Sequence, residues 1–549
     1  MDKRLEVGAS MRHFALMDSL SERHLARVWW EGRLPESGPN WSWPHRPDMS
    51  QIDAQNTSLD DREHQGALLL ERLSRQYADA GVPVPAVLEK LGAPAARTVT
   101  TGHQLCIAGG PAFTFYKIQS AITLARHLES RWGTPVVPVF WLASEDHDFE
   151  EVSALWSGQS WQTWHPAGPI GGAVGRMSTA GLSEVLHGWA ETADVAEETL
   201  NGLTADADGN LSQAMRRWVH RMFGPDQLVV LDGDDAAFKT VFSNIMQREV
   251  SESLVHTAVS NCNAALADAG FTPQVHVRAC NLFHLDEGQR RRIEADGKGG
   301  WHAENGAQWP STEALCTDVA AQPEKFSPNA LLRPVYQSVL LPDVAMVGGL
   351  AEIAYGMQLP DVYHRLGVRQ PVLVPRDGAV VLPKRQVKLM EKAGLRDEMV
   401  LQPLREWTKA LVSQAELPDS SAWRKSIMTH AEASQAEMGQ LDRSLEGSVQ
   451  AAAAKMENLL DRLDQQVVRA FKRKEEESVT RLEKVDHWVR PEGKPQERVC
   501  NIFQLAGAWD VQSAGAAAPL EEILRDAFEQ GHKSLDWCPL LHVIRAVGP

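Results

Sequence analysis

At 549 residues the chain exceeds what one ordinary core holds, so two or three domains are expected. Its hydrophobic content of 43% is that of a folded globular protein. The formal charge of -17 argues against a general nucleic-acid binder, which needs a basic surface to replace counterions, but leaves room for a local basic pocket. No apolar run reaches the ~18–20 residues that cross a bilayer. The N-terminus, "MDKRLEVGASMRHFALMDSL", lacks the uninterrupted apolar segment of a signal peptide. Six cysteines (Cys106, Cys262, Cys280, Cys316, Cys500, Cys538) form no CxxC pair, so reduced thiols are expected, with neither a disulfide framework nor a zinc site. These features together predict a soluble cytoplasmic protein.

Residues 1–95 read as helical and polar, with Leu68, Leu69, Leu73 and Tyr77 near helical spacing. From Arg97 the texture changes. "RTVTTG" predicts a strand, "HQLCIAGGP" a Gly-rich loop, and "AFTFYKIQSAITLARHLESRWG" a helix with an apolar stripe of Ile118, Ala121, Ile122, Ala125 and Leu128, stopped by Gly133. "TPVVPVFWLA" is the next strand. A βαβ unit requires parallel strands and a right-handed crossover. "DQLVVLDGDD" and "QPVLVPRDG" predict further strands, and the stretches at about 155–225 and 250–325 read as insertions into one doubly wound sheet.

The last third contains no proline from Asp419 to Arg490. Met438, Leu441, Leu445, Val449, Ala452, Met456, Leu460, Leu463, Val467 and Phe471 step by 3, 4, 4. This eleven-residue period predicts a long, nearly straight coiled-coil helix.

Ligands of an open parallel sheet bind beyond the carboxyl ends of its strands, and three groups fall there. In "TTGHQLCIAGGPAFTFYK", Gly102, Gly109 and Gly110 permit close backbone approach and the helix start offers free amides. Thr114 and Lys117 then reach an anion such as a nucleotide phosphate. The loop matches neither GxxxxGK[ST] nor GxGxxG, and a plain structural turn fits the same residues. In "VVPVFWLASEDHDFEEV", a buried strand ends in Glu145, Asp146, His147 and Asp148, charges that are costly there without a task. His147 between two aspartates suits a general base; a divalent cation is the other reading, and Glu150 and Glu151 fit a solvated helix start. In "LLRPVYQSVLLPDVAMVGGLAEIAY", Arg333 and Gln337 precede an apolar run, and Gly348 and Gly349 open a helix carrying Glu352 and Tyr355. Arg333 suits a carboxylate or phosphate, and a surface ion pair is its commoner fate. Cys106 has no placed His–Asn partners and reads as a small apolar residue; Cys280 reads as core.

The segments "VTTGHQLCIAGGPAFTFYKIQSAITLARHL", "PVVPVFWLASEDHDFEEV", "LRPVYQSVLLPDVAMVGGLAEIAY", "VLVPRDG" and "PQERVCNIF", in that order, resemble the bacillithiol-biosynthesis family BshC, the cysteine-adding enzymes. The resemblance runs from about residue 60 to the end. It implies an α/β fold: a Rossmann-like doubly wound parallel sheet related to nucleotidylyltransferases and class I synthetases, with two connecting insertions and a C-terminal α-helical coiled-coil domain that dimerises. The expected layout is an N-terminal helical segment packed on the core (1–95), the core (96–382), the coiled-coil region (383–490) and a tail returning to the core (491–549).

The implied reaction joins the carboxylate of L-cysteine to the amine of glucosaminyl malate, giving bacillithiol. The cofactor is left open, ATP or another nucleotide being the candidates. Gln104, Glu145, Arg333, Gln337, Glu352 and Tyr355 are then expected to bind substrate, and His147, with Asp146 and Asp148, to take a proton from the attacking amine. Two departures stand out: His103 replaces a usual Gln, and Leu350 and Ala351 replace the family's Pro-Gly in GGPGE. A nucleotidylyltransferase-like enzyme acting on another amine, and a non-enzymatic coiled-coil scaffold, are the alternative readings.

Overall fold

The structure is a computed structural model. It describes the chain except residues 1–2, 6–8, 23, 35–36, 38–41, 45, 58–64, 287, 415–418, 514–518, 533–538 and 547–549. The chain divides into two compact units, Met1–Pro383 with Lys494–Pro549, and Lys384–Gly493.

The first unit is built on five parallel strands: β1 (Arg97–His103), β2 (Val136–Leu142), β3 (Val229–Asp232), β4 (Asp343–Gly348) and β5 (Val372–Pro375). Their spatial order is 3-2-1-4-5, the doubly wound arrangement, with its switch point between β1 and β4. Strands covered on both faces must be apolar throughout, and every residue of β2 and β4 is buried. Alternate side chains serve opposite layers. Val99, Val136 and Val347 pack with Ala121, Leu124 and Leu128 of helix α1 (Ala112–Trp132) on one face. Val137, Val139, Val229 and Leu231 pack with Phe238 and Phe242 of α2 (Ala236–Glu252) and Tyr336 of α3 (Arg333–Leu340) on the other. Helix α1 stops at Gly133, whose φ of 67° is the left-handed cap expected there. A shorter helix, α4 (Leu350–Gly356), follows β4 directly.

The two insertions hold more regular structure than their sequence suggests. Between β2 and β3 lie a two-stranded hairpin, Ala154–Trp156 with Trp161–Thr163, and four α-helices, one of them the single turn Phe149–Val152. Between α2 and α3 lies a five-stranded antiparallel sheet of short strands, including Leu282–Asp286 and Gln289–Ala295. The N-terminal segment also differs from expectation. Lys3–Leu5 and Ala9–Ala15 are strands, and the second pairs antiparallel with Leu540–Ala546, which runs parallel to Gly378–Leu382. The partner strand lies more than five hundred residues away, so no local pattern announces it.

That small sheet is clasped by a buried charge. Asp377 Oδ2 contacts His532 Nε2 at 2.5 Å, its Oδ1 accepts from the Leu540 amide at 2.8 Å, and His542 Nδ1 lies 2.9 Å from His13 Nδ1. Burial alone would raise the Asp377 pKa, but the two histidines outweigh it and hold the carboxyl well below its ordinary range. Burial, then His542, lowers His13 from 6.5 to about 4. A depressed histidine pKa means the unfolded chain takes the proton first, so stability is lost as pH falls from 6.5 towards 4. The urea midpoint is expected to drop across that window, and His13→Asn to flatten the slope; parallel slopes would remove His13 from the clasp.

In the second unit, the eleven-residue stripe is not one helix. Ser421–Leu441 and Leu445–Lys474 form an antiparallel hairpin, with Arg424 bonded to Asp461 at 2.6 Å and Asp464 at 2.9 Å. The break comes at Asp442, which turns extended (φ -153°, ψ 123°) while its carboxylate accepts from the Ser444 amide at 2.8 Å. Met438 and Leu441 therefore precede the turn, and the rest of the stripe follows it. Leu460 is buried, whereas Leu441 is 85% exposed and Leu459 61%. Among the described residues no helix is long and apolar enough to cross a membrane.

Candidate active site

Beyond the carboxyl ends of the parallel strands lies a cavity of about 910 Å³. Four of the five strand ends contribute to its wall: Gly102, His103 and Gln104 at the end of β1, Glu145, Asp146 and His147 after β2, Glu352 and Tyr355 on α4 after β4, and Arg376 after β5. Helix α1 adds Lys117 and α3 adds Arg333 at its first turn. Arg278, Arg290 and Arg292 enter from the inserted antiparallel sheet and the segment leading into it, and Lys494 and Arg498 from the C-terminal segment. Eight lysines and arginines face four acids, in a chain whose overall charge is -17. Lys117, His147 and Arg333, from three separate segments, line the same space.

Lys117 is almost fully buried, with Nζ 2.6 Å from Glu352 Oε2 and also donating to the Gly102 carbonyl. Burial lowers its pKa, and the Glu352 carboxylate opposes that shift. Glu352 is itself held by the Gly349 amide at 2.8 Å, capping α4. Beneath this pair, Gln337 is buried and does not line the cavity. Its amide bonds Asp343 at 2.7 Å and Thr100 at 2.9 Å, and its carbonyl receives Arg333 at 3.2 Å, so it orients the arginine. Burial pushes the Asp343 carboxyl up to about 7. Burial likewise pushes the Tyr355 phenol up to about 12 and leaves it a neutral hydroxyl.

The acidic stretch after β2 finds its counter-charges on two residues that the sequence alone did not single out. Asp146 receives Gln104 Nε2 at 3.1 Å, the His147 amide at 2.8 Å and Arg290 Nη1 at 3.3 Å. Burial would raise its pKa, but the Arg290 charge and the bonds from the Gln104 and His147 amides hold the carboxyl well below the usual range. Glu145 turns the other way, into the protein, where Lys239 of α2 lies 2.7 Å away. Lys239 also meets Asp234 at 2.9 Å, and Arg176 grips Asp234 through two bonds of 2.6 and 2.7 Å. Burial works to lower the Lys239 pKa, but the two carboxylates prevail and raise it, so the ammonium persists.

Other expected residues lie outside the cavity. Asp148 is exposed and precedes the short helix Phe149–Val152. Gly109, Gly110 and Thr114 are buried away from it. The Gly-rich loop is occupied instead by the C-terminal segment: Asn501 Nδ2 donates to the Ala108 and Gly110 carbonyls at 3.0 and 2.7 Å, and the Ala112 amide at the start of α1 donates to the Cys500 carbonyl at 2.8 Å. Gly110 is required there, because at φ 81° an added Cβ would sit 2.9 Å from Cys106 Cβ. Cys106 lines the cavity with Sγ 3.8 Å from His103 Nε2, but burial pushes its thiol up to about 12 and makes it a poor nucleophile. His103 is lowered well below 6.5 by burial, then by Lys117 and Arg376, and stays neutral. Cys106, Cys262, Cys280, Cys316 and Cys500 are free thiols, and Cys538 lies outside the described residues. Arg376, bound to Glu497 at 2.5 Å, follows β5 directly, and the strand-end rule could have flagged it.

Comparison with known proteins gives this geometry a family. The description "Bacillithiol biosynthesis BshC, N-terminal Rossmann-like domain" matches residues 43–377, and "Bacillithiol biosynthesis BshC, C-terminal coiled-coil domain" matches residues 379–515. A protein of Cytophaga hutchinsonii named "Putative cysteine ligase BshC" is 32% identical over 471 residues, covering 83% of this chain and 87% of that protein. Proteins of the same name from Flavobacterium johnsoniae (29% over 454 residues, 80% and 84% covered) and Salinibacter ruber (29% over 500 residues, 86% and 87% covered) are similar along comparable lengths. A domain description spanning more than half of the chain, and a relative at 32% identity across most of it, establish that the chain belongs to the BshC family of bacillithiol biosynthesis.

Proposed function

We propose that the protein is a carbon–nitrogen ligase of the cytoplasm that joins the carboxylate of L-cysteine to the amine of glucosaminyl malate. The observation that carries this reading is the cationic cavity at the switch point of an otherwise acidic chain. Glucosaminyl malate brings two carboxylates and an ammonium, and cysteine brings one of each. Arg333 suits a carboxylate, because a guanidinium binds one through two parallel bonds, whereas the fork of Arg376 is already held by Glu497. Asp146 and Glu352 suit the amines, and Gln104, Tyr355 and His147 offer polar contacts between them.

Amide formation from a free carboxylate is unfavourable in water. A nucleoside triphosphate, when bound, would supply the activation, and the phosphates fit Lys117, Arg333 and the Lys494–Arg498 rim rather than the filled Gly-rich loop. The chain's own residues then hold the activated carbonyl against the amine, a positioning effect that lowers the barrier by replacing a bimolecular encounter.

Omitting cysteine, glucosaminyl malate and ATP in turn from reactions of the purified protein tests the reading by mass spectrometry. Bacillithiol is expected only when cysteine and glucosaminyl malate are both present. Pyrophosphate release indifferent to cysteine, with no thiol product, would contradict it.

The same reading makes the protein a homodimer through the coiled coil. Leu441, Leu459 and Trp423 (63% exposed) are apolar side chains that the hairpin does not cover, and apolar surface left in water gains by pairing. The double variant Leu441→Lys, Leu459→Lys is expected to sediment as a monomer at micromolar concentration; unchanged mass in both proteins would leave the face without that role.

A further inference from the structure

We propose that Arg290 locks His147 as a hydrogen-bond donor to the cavity, so that His147 holds a negatively charged oxygen of the reacting group and takes no proton from the amine. The inference rests on the ligase reading for the identity of that oxygen, and on geometry for the rest. A guanidinium donates and never accepts. Arg290 Nη1 lies 3.0 Å from His147 Nδ1, so Nδ1 carries the lone pair and the neutral ring keeps its hydrogen on Nε2. The opposite tautomer would aim an N–H at the guanidinium N–H, and its acceptor, Asp146 Oδ1, is 3.5 Å from Nδ1. Among the described residues Nε2 has no hydrogen-bond partner, and the ring lines the cavity with its side chain 36% exposed.

Arg290 has no freedom to withdraw. Its Nη2 donates to the Pro328 carbonyl at 3.0 Å, its Nε to Ser327 Oγ at 3.2 Å, and its guanidinium lies 3.9 Å from the centre of the Phe283 ring. To act as a base His147 would have to offer Nδ1, which already accepts from Arg290. His147 therefore cannot serve as the general base that its place between two aspartates suggests.

What it can do is donate. Were a nucleoside triphosphate to activate the cysteine carboxylate as a mixed anhydride, attack of the amine nitrogen on its carbonyl carbon would move the π pair to oxygen, where Nε2–H could donate. Breaking of the C–O bond to the phosphate would return the pair and release the phosphate, and the amine's proton would pass to Glu352 or to water. A preorganised donor of this kind is worth about 10²–10³ in kcat.

The tautomer is read directly by two-dimensional ¹⁵N–¹H correlation on protein labelled in histidine, with His147 assigned from the missing signals of His147→Gln. At pH 7 an unprotonated Nδ1 and a protonated Nε2 are expected. Arg290→Gln, accepted only if its unfolding midpoint is retained, should populate both tautomers. In turnover, His147→Ala should lose about 10²–10³-fold in kcat, with His147→Gln recovering part of the loss and His147→Glu none. A protonated Nδ1 at pH 7, or rescue by Glu and not Gln, would overturn the proposal. The spectrum needs no substrate, so absence of bacillithiol would fault the ligase reading and leave the tautomer result standing.

Discussion

Replacing Lys117 with methionine is expected to lower kcat by about 10²–10³-fold while the protein stays folded. The side chain is 2% exposed and its ammonium sits between the Glu352 carboxylate and the Gly102 carbonyl, at the point where β1, α1 and α4 meet. A buried cation with fixed partners needs no reorganisation as negative charge develops beside it. Methionine keeps the volume and removes only the charge. Glu352, 22% exposed, can recover water, so the loss falls on turnover and less on stability. Arginine should not rescue the variant, because its planar fork does not fit a slot cut for a compact ammonium. Because burial lowers the Lys117 pKa, the wild-type rate is expected to fall on the alkaline side below the 10.5 of an ordinary lysine. Steady-state kinetics with thermal unfolding of the same samples decides the matter; kcat within threefold of wild type would take Lys117 out of the mechanism.

The second large effect is on stability. Lys239→Met should cost about 3–5 kcal/mol, since removing one member of a buried ion group leaves its partners charged and unpaired. Lys239 is 1% exposed, and Glu145 and Asp234 would face one another with only Arg176 remaining on Asp234. Neutralising a stranded partner should restore part of the loss, so Lys239→Met with Glu145→Gln is expected to be more stable than Lys239→Met alone. Denaturant midpoints at constant slope measure both. Equal midpoints for the single and double variants would show that Glu145 does not depend on Lys239.

Several features of the fold could be read directly from residues. Strands buried on both faces appear as short apolar or β-branched runs, so β1, β2, β3 and β5 were visible, and the ends of β1 and β2 pointed to Gln104, Asp146 and His147, as the apolar run of β4 pointed to Glu352. Arg290 was not, because "QRRRIEA" resembles a solvated edge. The hairpin register could have narrowed the choice: Leu285 opposes Arg290 and Phe283 opposes Arg292, which puts these two arginines on the face of Phe283 and Arg291 on the other, with His284. Lys239 was hidden for a related reason, a single lysine in an amphipathic helix being ordinary until its partners arrive from another strand. The turn at Asp442 escaped because the apolar stripe steps across it without interruption and no proline marks the place; Gly439, where an added Cβ would sit 2.7 Å from Glu446, was the local sign. The Gly-rich loop misled in the opposite sense. Its glycines serve a tight turn, and the atoms that fill it come from Cys500 and Asn501, nearly four hundred residues on.

That last contact bears on how the molecule comes to be made. The segment holding the loop, together with Glu497 bonded to Arg376, is translated only after the whole helical hairpin. While the nascent chain is still on the ribosome, α1 and the end of β5 wait without their seal. The unfinished polypeptide is thus expected to stay inert until about its last tenth emerges, and truncation there should silence it without touching a single strand of the central sheet.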